Sequence, residues 1–232
     1  MFGRKPIGTV AYMGGIPAVY ESFCWNWGQM IQYNQEVLCN DSEYIHYDRA
    51  TISDHAPARN GIVSRFYGDW LFMLDTDHTF EPDITHRMLR TMQTLNIDVL
   101  TGIYQFKKPP YSPVIYAFVD NDDDKELARP IANWDRSVPV FTVSSAGAGC
   151  LMVKRTIYDR ISNELDEEPF TRIASFSEDH SFFKRLHKLG IKTYCDQRIQ
   201  CNHLIMRSIE LDDFEGFDGD VSEPILVDGF KT

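Results

Sequence analysis

The sequence is poor in long apolar runs, in basic charge and in cysteine. No window approaches the roughly 20 consecutive apolar residues that a membrane-spanning helix needs, so no membrane span is expected. Lys and Arg total 23 against 34 Asp and Glu, for a formal net charge of -11. That balance excludes a generic nucleic-acid coat, because binding to phosphates without regard to sequence runs on Lys and Arg. A local basic patch stays open, with Lys107, Lys108, Lys184, Arg185, His187 and Lys188 as its candidates against a plain solvated surface. The 5 cysteines, Cys24, Cys39, Cys150, Cys195 and Cys201, are odd in number and widely spaced. Neither a disulfide scaffold nor a zinc ribbon suits them, and structural thiols do. Residues 1–5 lead into a short strand-like run rather than the apolar core of a secretion signal. A reduced, soluble, cytoplasmic protein is expected. No internal repeat and no low-complexity tract is present.

What is present describes a globular α/β chain. The 232 residues suit one domain with an extension, and 43% hydrophobic with 13% aromatic residues argues against disorder. Residues 7–12 read as a first strand, broken by Gly14, Gly15 and Pro17. Val19, Phe23, Trp27, Met30, Ile31 and Val37 recur at helical spacing over 18–38. A short strand at 43–48 precedes a helix from about 55 to 66, capped by Asp54, with Ile62, Val63 and Phe66 inward. Residues 69–75 are almost continuously apolar, as in a strand buried on both faces. A helix from Pro82 follows, with Ile84, Met88, Met92 and Leu95 on one side, and then a strand at 97–104. This alternation predicts a central, mostly parallel sheet flanked by helices.

The middle of the chain changes character. Residues 107–113 are proline-rich, and the acidic run 120–124 lacks an EF-hand spacing, so it reads as a solvated loop. Strand-like pieces at 114–119 and 138–144 suggest an inserted hairpin or edge strands. Helices are expected at about 154–165 and 179–189, the second ending at Gly190 with Phe182, Phe183, Leu186 and Leu189 on one side. A strand at 191–195 follows. Residues 206–232 form an acidic extension after a domain spanning 1–205. Trp25, Trp27, Tyr111 and Trp134 are either core residues or surfaces for stacking on sugar rings or bases.

Four short segments carry candidate chemistry. Asp75-Thr76-Asp77-His78 closes the apolar strand at 69–75. Carboxylates outside the carboxyl end of such a strand are hard ligands for Mg2+ or Mn2+, or else a polar turn. Ser145-Ala146-Gly147-Ala148-Gly149 permits close backbone approach, to a ligand or to a packed neighbour. Ser177-Glu178-Asp179 opens a helix, where carboxylates are favoured by the dipole as caps or as functional groups. His203 lies beyond the last expected strand.

In order and spacing these segments resemble the GT-A-type nucleotide-sugar glycosyltransferases, family 2-like. The resemblance runs over about residues 7–205 and includes Ala58-Arg59-Asn60. It implies a GT-A-like three-layer fold and a metal-dependent transfer of one sugar from a nucleotide-diphosphate sugar, UDP favoured, to an acceptor hydroxyl. Asp77 and His203 are then metal ligands, with Mn2+ or Mg2+ as the cofactor. Asp75 joins the metal shell or contacts the ribose, and His78 is a further ligand or a supporting group. Thr9, Ala11 and Tyr12 border the nucleoside, with Tyr12 as plain core the other option. Arg59 binds base or phosphate, and Gly147 and Gly149 form the glycine loop. Asp179 is the general base of an inverting transfer, and Glu178 orients the acceptor or the base. The Gln-x-x-Arg-Trp motif of processive synthases is absent, which points to one sugar per event. The acceptor stays open among a protein, a saccharide, a lipid-linked precursor and a modified nucleobase. Two rival readings are a sugar-nucleotide nucleotidyltransferase and a non-catalytic nucleotide-sugar-binding module. The first wants a basic cluster after the first strand, which Ala11 to Pro17 does not supply.

Overall fold

A computed structural model describes residues 4–14, 19–120 and 126–205. The acidic turn expected over 120–124 lies, beyond Asp120, outside the described residues, as does the 206–232 extension. In chain order the strands are β1 Lys5–Tyr12, β2 Glu43–Arg49, β3 Trp70–Leu74, β4 His78–Thr79, β5 Val99–Ile103, β6 Ile115–Asp120, β7 Glu126–Pro130, β8 Val140–Val143, β9 Ser145–Ala146, β10 Cys150–Lys154, β11 Thr193–Gln200 and β12 Asn202–His203. The helices are α1 Glu21–Val37, α2 His55–Val63, α3 Ile84–Leu95, α4 Arg155–Arg160, which runs on into a π-helical turn Ile161–Leu165, and α5 Glu178–Lys188.

Seven strands form the central sheet in the order β2-β1-β3-β10-β5-β11-β8. The pairs β1–β2, β1–β3 and β5–β11 are parallel, while β10 runs antiparallel to both of its neighbours and β8 antiparallel to β11. Five strands therefore share one direction. Reversal of β10 places its first residue, Cys150, opposite Leu74, the last residue of β3. The glycine segment before β10 is thereby delivered to the carboxyl ends of the parallel strands. β6 pairs with β7 and β9 in a separate antiparallel sheet, so the hairpin partner of 114–119 is β7, which the sequence reading did not single out, while the 138–144 piece supplies β8, an edge strand of the main sheet.

Burial on both faces of the sheet makes three layers. Every residue of β3 is buried, and successive side chains alternate between layers. Leu71 and Met73 join Ile62, Ile157 and Phe182 in one cluster, which includes side chains of α2, α4 and α5. Phe72 and Leu74 join Phe23, Met30, Ile84 and Met88 in the other, which includes those of α1 and α3. The expected GT-A-like α/β architecture is the observed one.

Local departures have identifiable causes. Leu95 is 47% exposed rather than inward. Asn96 ends α3 in the left-handed conformation (φ 51°), and the Ile97 N–H bonds the Met92 carbonyl at 3.0 Å. That closure turns Ile97 into the core in place of Leu95. Asp54 sits at the N-cap of α2 but makes no capping bond with its side chain. β11 runs to Gln200, past the expected end at 195, because its polar Asp196 is accommodated: Thr91 Oγ1 donates to it at 2.8 Å and Arg198 Nη2 at 2.7 Å. Arg185 belongs to no basic face, being buried with Nη2 2.7 Å from Glu167.

Removing a fully buried side chain leaves a cavity. Met88→Ala is expected to lower the unfolding free energy by about 2–5 kcal/mol, and exposed Leu95→Ala by less than about 0.5 kcal/mol. Equilibrium urea denaturation of the two variants checks both values.

Candidate active site

β3 ends at Leu74, and the turn Asp75-Thr76-Asp77 leads straight into β4. β4 pairs antiparallel with β12, which sets His203 opposite His78. Asp77, His78 and His203 can each turn one ligand atom into a group spanning no more than 4.8 Å. Asp77 Oδ1 lies 3.8 Å from His203 Nε2. The two imidazoles are oriented alike: His78 Nδ1 lies 3.0 Å from the Gly149 carbonyl, and His203 Nδ1 bonds the Gln105 carbonyl. A carbonyl only accepts, so each Nδ1 carries a proton, and in the neutral form of such a ring Nε2 is the atom with the free lone pair.

Two atoms of this group, Asp77 Oδ1 and His78 Nε2, are buried without a hydrogen-bond partner. Buried acceptors left unpaired are destabilising and uncommon. A divalent cation would satisfy both, so the residues fit a metal ion. Burial, the larger effect, pulls the His78 pKa below its ordinary 6.5 against the pull of Asp75, keeping the ring neutral as a ligand must be. Burial also pushes the Asp77 carboxyl up, but the hydrogen bond from Lys107 and the charge of that ammonium hold it below the usual value. The Lys107 ammonium donates to Asp77 Oδ2, on the other side of the carboxylate.

Asp75 stands between that group and Arg59: its charge acts on His78, and a Cβ on Gly149 would touch both its Oδ2 and the His78 ring. Its Oδ1 is 3.3 Å from Arg59 Nη2, while Arg59 Nη1 reaches Glu178 Oε1 at 3.0 Å. Arg59, on α2, is buried and bridges the carboxyl end of β3 to the first turn of α5. Burial works against its charge, but Asp75, Asp179 and Glu178 outweigh it and raise the guanidinium pKa. Both Nη atoms thus serve carboxylates of the protein. Glu178 is further approached by His55 Nδ1 at 3.6 Å. Asp179 is half-buried, and its Oδ1 accepts from the His180 N–H at 2.8 Å and from the Ser177 hydroxyl. Tyr104 is buried within reach of two carboxylates: after burial itself, Asp75 and Asp179 push its phenol pKa well up.

The remaining expected residues are placed as follows. A Cβ on Gly149 would stand 2.4 Å from Asp75 Oδ2 and 2.8 Å from His78 Cε1, and one on Gly147 would stand 2.0 Å from the Tyr104 hydroxyl. Both glycines are buried and let backbone pack against site residues. Thr9 sits within β1, where its hydroxyl donates to the Tyr67 carbonyl at 2.8 Å and accepts from the Tyr67 N–H at 2.9 Å. Ala11 is fully buried in the core. Tyr12 ends β1, half-buried, with its ring 4.9 Å from that of Trp27. A cavity of about 950 Å³ opens beside the β4–β12 ribbon, lined in part by Trp25, Thr79, Phe80 and Asn202. Asp75, Asp77, His78, Glu178, Asp179 and His203 do not line it. Lys107 and Tyr104 were not among the expected site residues. His78 was visible through its position directly after Asp77.

No protein-family model matches the chain, and no curated protein matches it in sequence. Among solved structures it is similar to the crystal structure of A197 from STIV, with a TM-score of 0.53 and 18% identity over 85% of this chain and 86% of that one. It is also similar to the crystal structure of GalNAc-T7 with UDP, GalNAc and Mn2+, with a TM-score of 0.56 and 9% identity over 94% of this chain. The chain spans 45% of the length of that second protein. At these identities the likeness is one of fold. Among the described residues, no helix is long and apolar enough to cross a membrane.

The depressed His78 pKa has a consequence for stability. Below pH 6.5 the unfolded chain binds a proton that the folded ring resists, so the stability contributed above that pH is lost as pH falls toward the folded value. In chelator-treated buffer, His78→Asn is expected to lose less stability than wild type between pH 7.5 and 5.5. Urea denaturation at the two pH values checks this, and equal losses would contradict it.

Proposed function

We propose that the chain is a metal-dependent glycosyltransferase that moves one sugar from a nucleoside diphosphate sugar to an acceptor hydroxyl, with inversion. The observation that carries this reading is the pair of buried, unpartnered acceptor atoms, Asp77 Oδ1 and His78 Nε2, beside His203 at the carboxyl end of β3. A carboxylate with two imidazoles suits Mn2+ better than Mg2+, which prefers an all-oxygen shell. Asp77, His78 and His203 would hold the ion. When bound, it offsets the charge that develops on the departing diphosphate. UDP is the first nucleotide to test, because the fold is shared with a protein whose structure contains UDP and Mn2+.

The protein's own groups supply the rest. Asp179 takes the proton of the acceptor hydroxyl as that oxygen attacks the anomeric carbon. It stands in the first turn of α5, half-buried, with its Oδ1 held by the His180 N–H and the Ser177 hydroxyl. Glu178, fixed by Arg59, orients the helix start that carries Asp179. Asp75, fixed by the same guanidinium, presents its second oxygen beside Gly149 and is the candidate for the donor ribose. Tyr12, at the end of β1, is the best placed of the three β1 candidates to border a nucleoside, since Thr9 is bonded to backbone and Ala11 is enclosed.

Thermal denaturation with UDP, GDP, CDP and TDP sugars, with and without Mn2+, tests the reading. A ligand at about 100 times its dissociation constant adds about 2.7 kcal/mol of stability. One nucleotide class is expected to raise the melting temperature, only with Mn2+, and Asp77→Ala is expected to abolish the shift. Asp179→Asn should keep the shift and slow release of the nucleoside diphosphate about 10²–10⁴-fold. A panel with no shift, or an Asp179→Asn protein at wild-type rate, contradicts the assignment.

A further inference from the structure

The two oxygens of Asp77 have different surroundings. Oδ2 accepts from the Lys107 ammonium, whereas Oδ1 is unpartnered and lies 3.8 Å from His203 Nε2. The lysine and the ion position therefore lie on opposite oxygens of one carboxylate, close together but not in the same place. We propose that Lys107 is a diphosphate-binding residue of this site, held on Asp77 until an anionic ligand arrives. This inference rests on the donor-binding reading above and adds to it the group that recognises the phosphates.

Charge balance supports the assignment. Asp75, Asp77, Glu178 and Asp179 are four carboxylates, and the arginine and lysine side chains paired among them are Arg59, Lys107 and, 4.0 Å from Glu178 at the edge of the set, Arg172. A divalent ion on Asp77 would turn that set from net negative to net positive and weaken the demand for Lys107. A diphosphate then brings new negative charge. Arg59 is not available to meet it, being buried with both Nη atoms on carboxylates. Lys107 is available: its side chain is 39% exposed, and its ammonium ends a flexible four-carbon stem with three donors.

The loop that carries Lys107 is pinned, so the movement belongs to the side chain. Val114 N–H bonds the Tyr104 carbonyl at 2.8 Å, Phe106 N–H the Ser112 carbonyl at 2.9 Å, and Tyr111 N–H the Lys108 carbonyl at 2.9 Å. Gln105, two residues before Lys107, supplies the carbonyl that orients His203. One loop thus sets a metal ligand and the phosphate-facing cation together.

Calorimetric titration of wild type, Lys107→Met and Lys107→Arg with Mn2+ alone, and with UDP in the presence of Mn2+, tests this. Lys107→Met is expected to bind UDP about 10- to 100-fold more weakly, the range of a charge-assisted contact. It should bind Mn2+ alone at least as tightly as wild type, because a neighbouring positive charge is gone. Lys107→Arg should restore most of the UDP affinity. Unchanged UDP affinity in Lys107→Met overturns the inference. So does parallel loss of Mn2+ and UDP binding, which marks a lysine that only anchors its loop. Wild-type protein that binds neither Mn2+ nor UDP overturns the donor reading itself, and this inference with it.

Discussion

The carbonyl oxygen of Gly149 receives two hydrogen bonds, one from the Asp75 N–H at 3.1 Å and one from His78 Nδ1 at 3.0 Å. Both lone pairs of one backbone acceptor are thus used to hold the turn that carries the carboxylates. The same residue offers its N–H to the Tyr104 hydroxyl at 3.2 Å. Nothing larger than glycine fits, because a Cβ would enter contact distances that real atoms do not adopt. The arrangement depends in turn on sheet direction. Only because β10 runs against β3 does the residue before Cys150 meet the residue after Leu74. A parallel β10 would deliver its carboxyl end there instead, with no glycine to accept the two bonds.

From that anchor the charges sort into two groups. Asp77, His78 and His203 gather on one side, with Lys107 as the outer counter-ion. Asp75 and Glu178 gather on Arg59. The buried Arg59 is weak support for stability, since removing ions from water offsets much of their attraction. Its geometric effect is clearer. It ties α2, the end of β3 and the start of α5 to one planar group, and fixes the distance between the Asp-Thr-Asp turn and Asp179. Truncating it would leave two carboxylates facing each other without compensation, a strongly destabilising change.

Much of this was legible in residue order, and the illegible remainder has a common cause. The unbroken apolar run of β3 announced a strand buried on both sides, and the polar residues after it announced its end. Glu178 and Asp179 at a helix start, and Gly190 past its end with φ +68°, were equally local signals. The contacts that decide roles are not local. Thr9 looked available until the Tyr67 backbone took both functions of its hydroxyl. Lys107 looked like solvated charge, because nothing near it in sequence names Asp77, 30 positions away. Arg59 looked like a ligand-binding residue, and its partners lie 16 and 119 positions off. β11 continued past its apolar part because Thr91 and Arg198 satisfy Asp196, a pairing no pattern of hydropathy encodes.

The same long separations bear on how the site behaves as a unit. His203 is held opposite His78 by the continuation of β11 past β5, where Cys201 N–H bonds the Ile103 carbonyl at 3.0 Å and Leu204 N–H bonds the Asp77 carbonyl at 2.7 Å. No segment of the chain holds the candidate metal-binding group by itself. Closing such distant contacts carries a loop-entropy penalty that the completed sheet must offset, so the site forms with the fold and not before it. Binding at Asp77, His78 and His203 is then linked to folding of the whole domain, because the unfolded chain brings the three together rarely. The two unpartnered buried atoms work in the opposite direction in the metal-free protein, where they reduce the stability of the ligand-free state. Affinity for an ion and stability of the empty fold are in that way coupled through Asp77 Oδ1 and His78 Nε2.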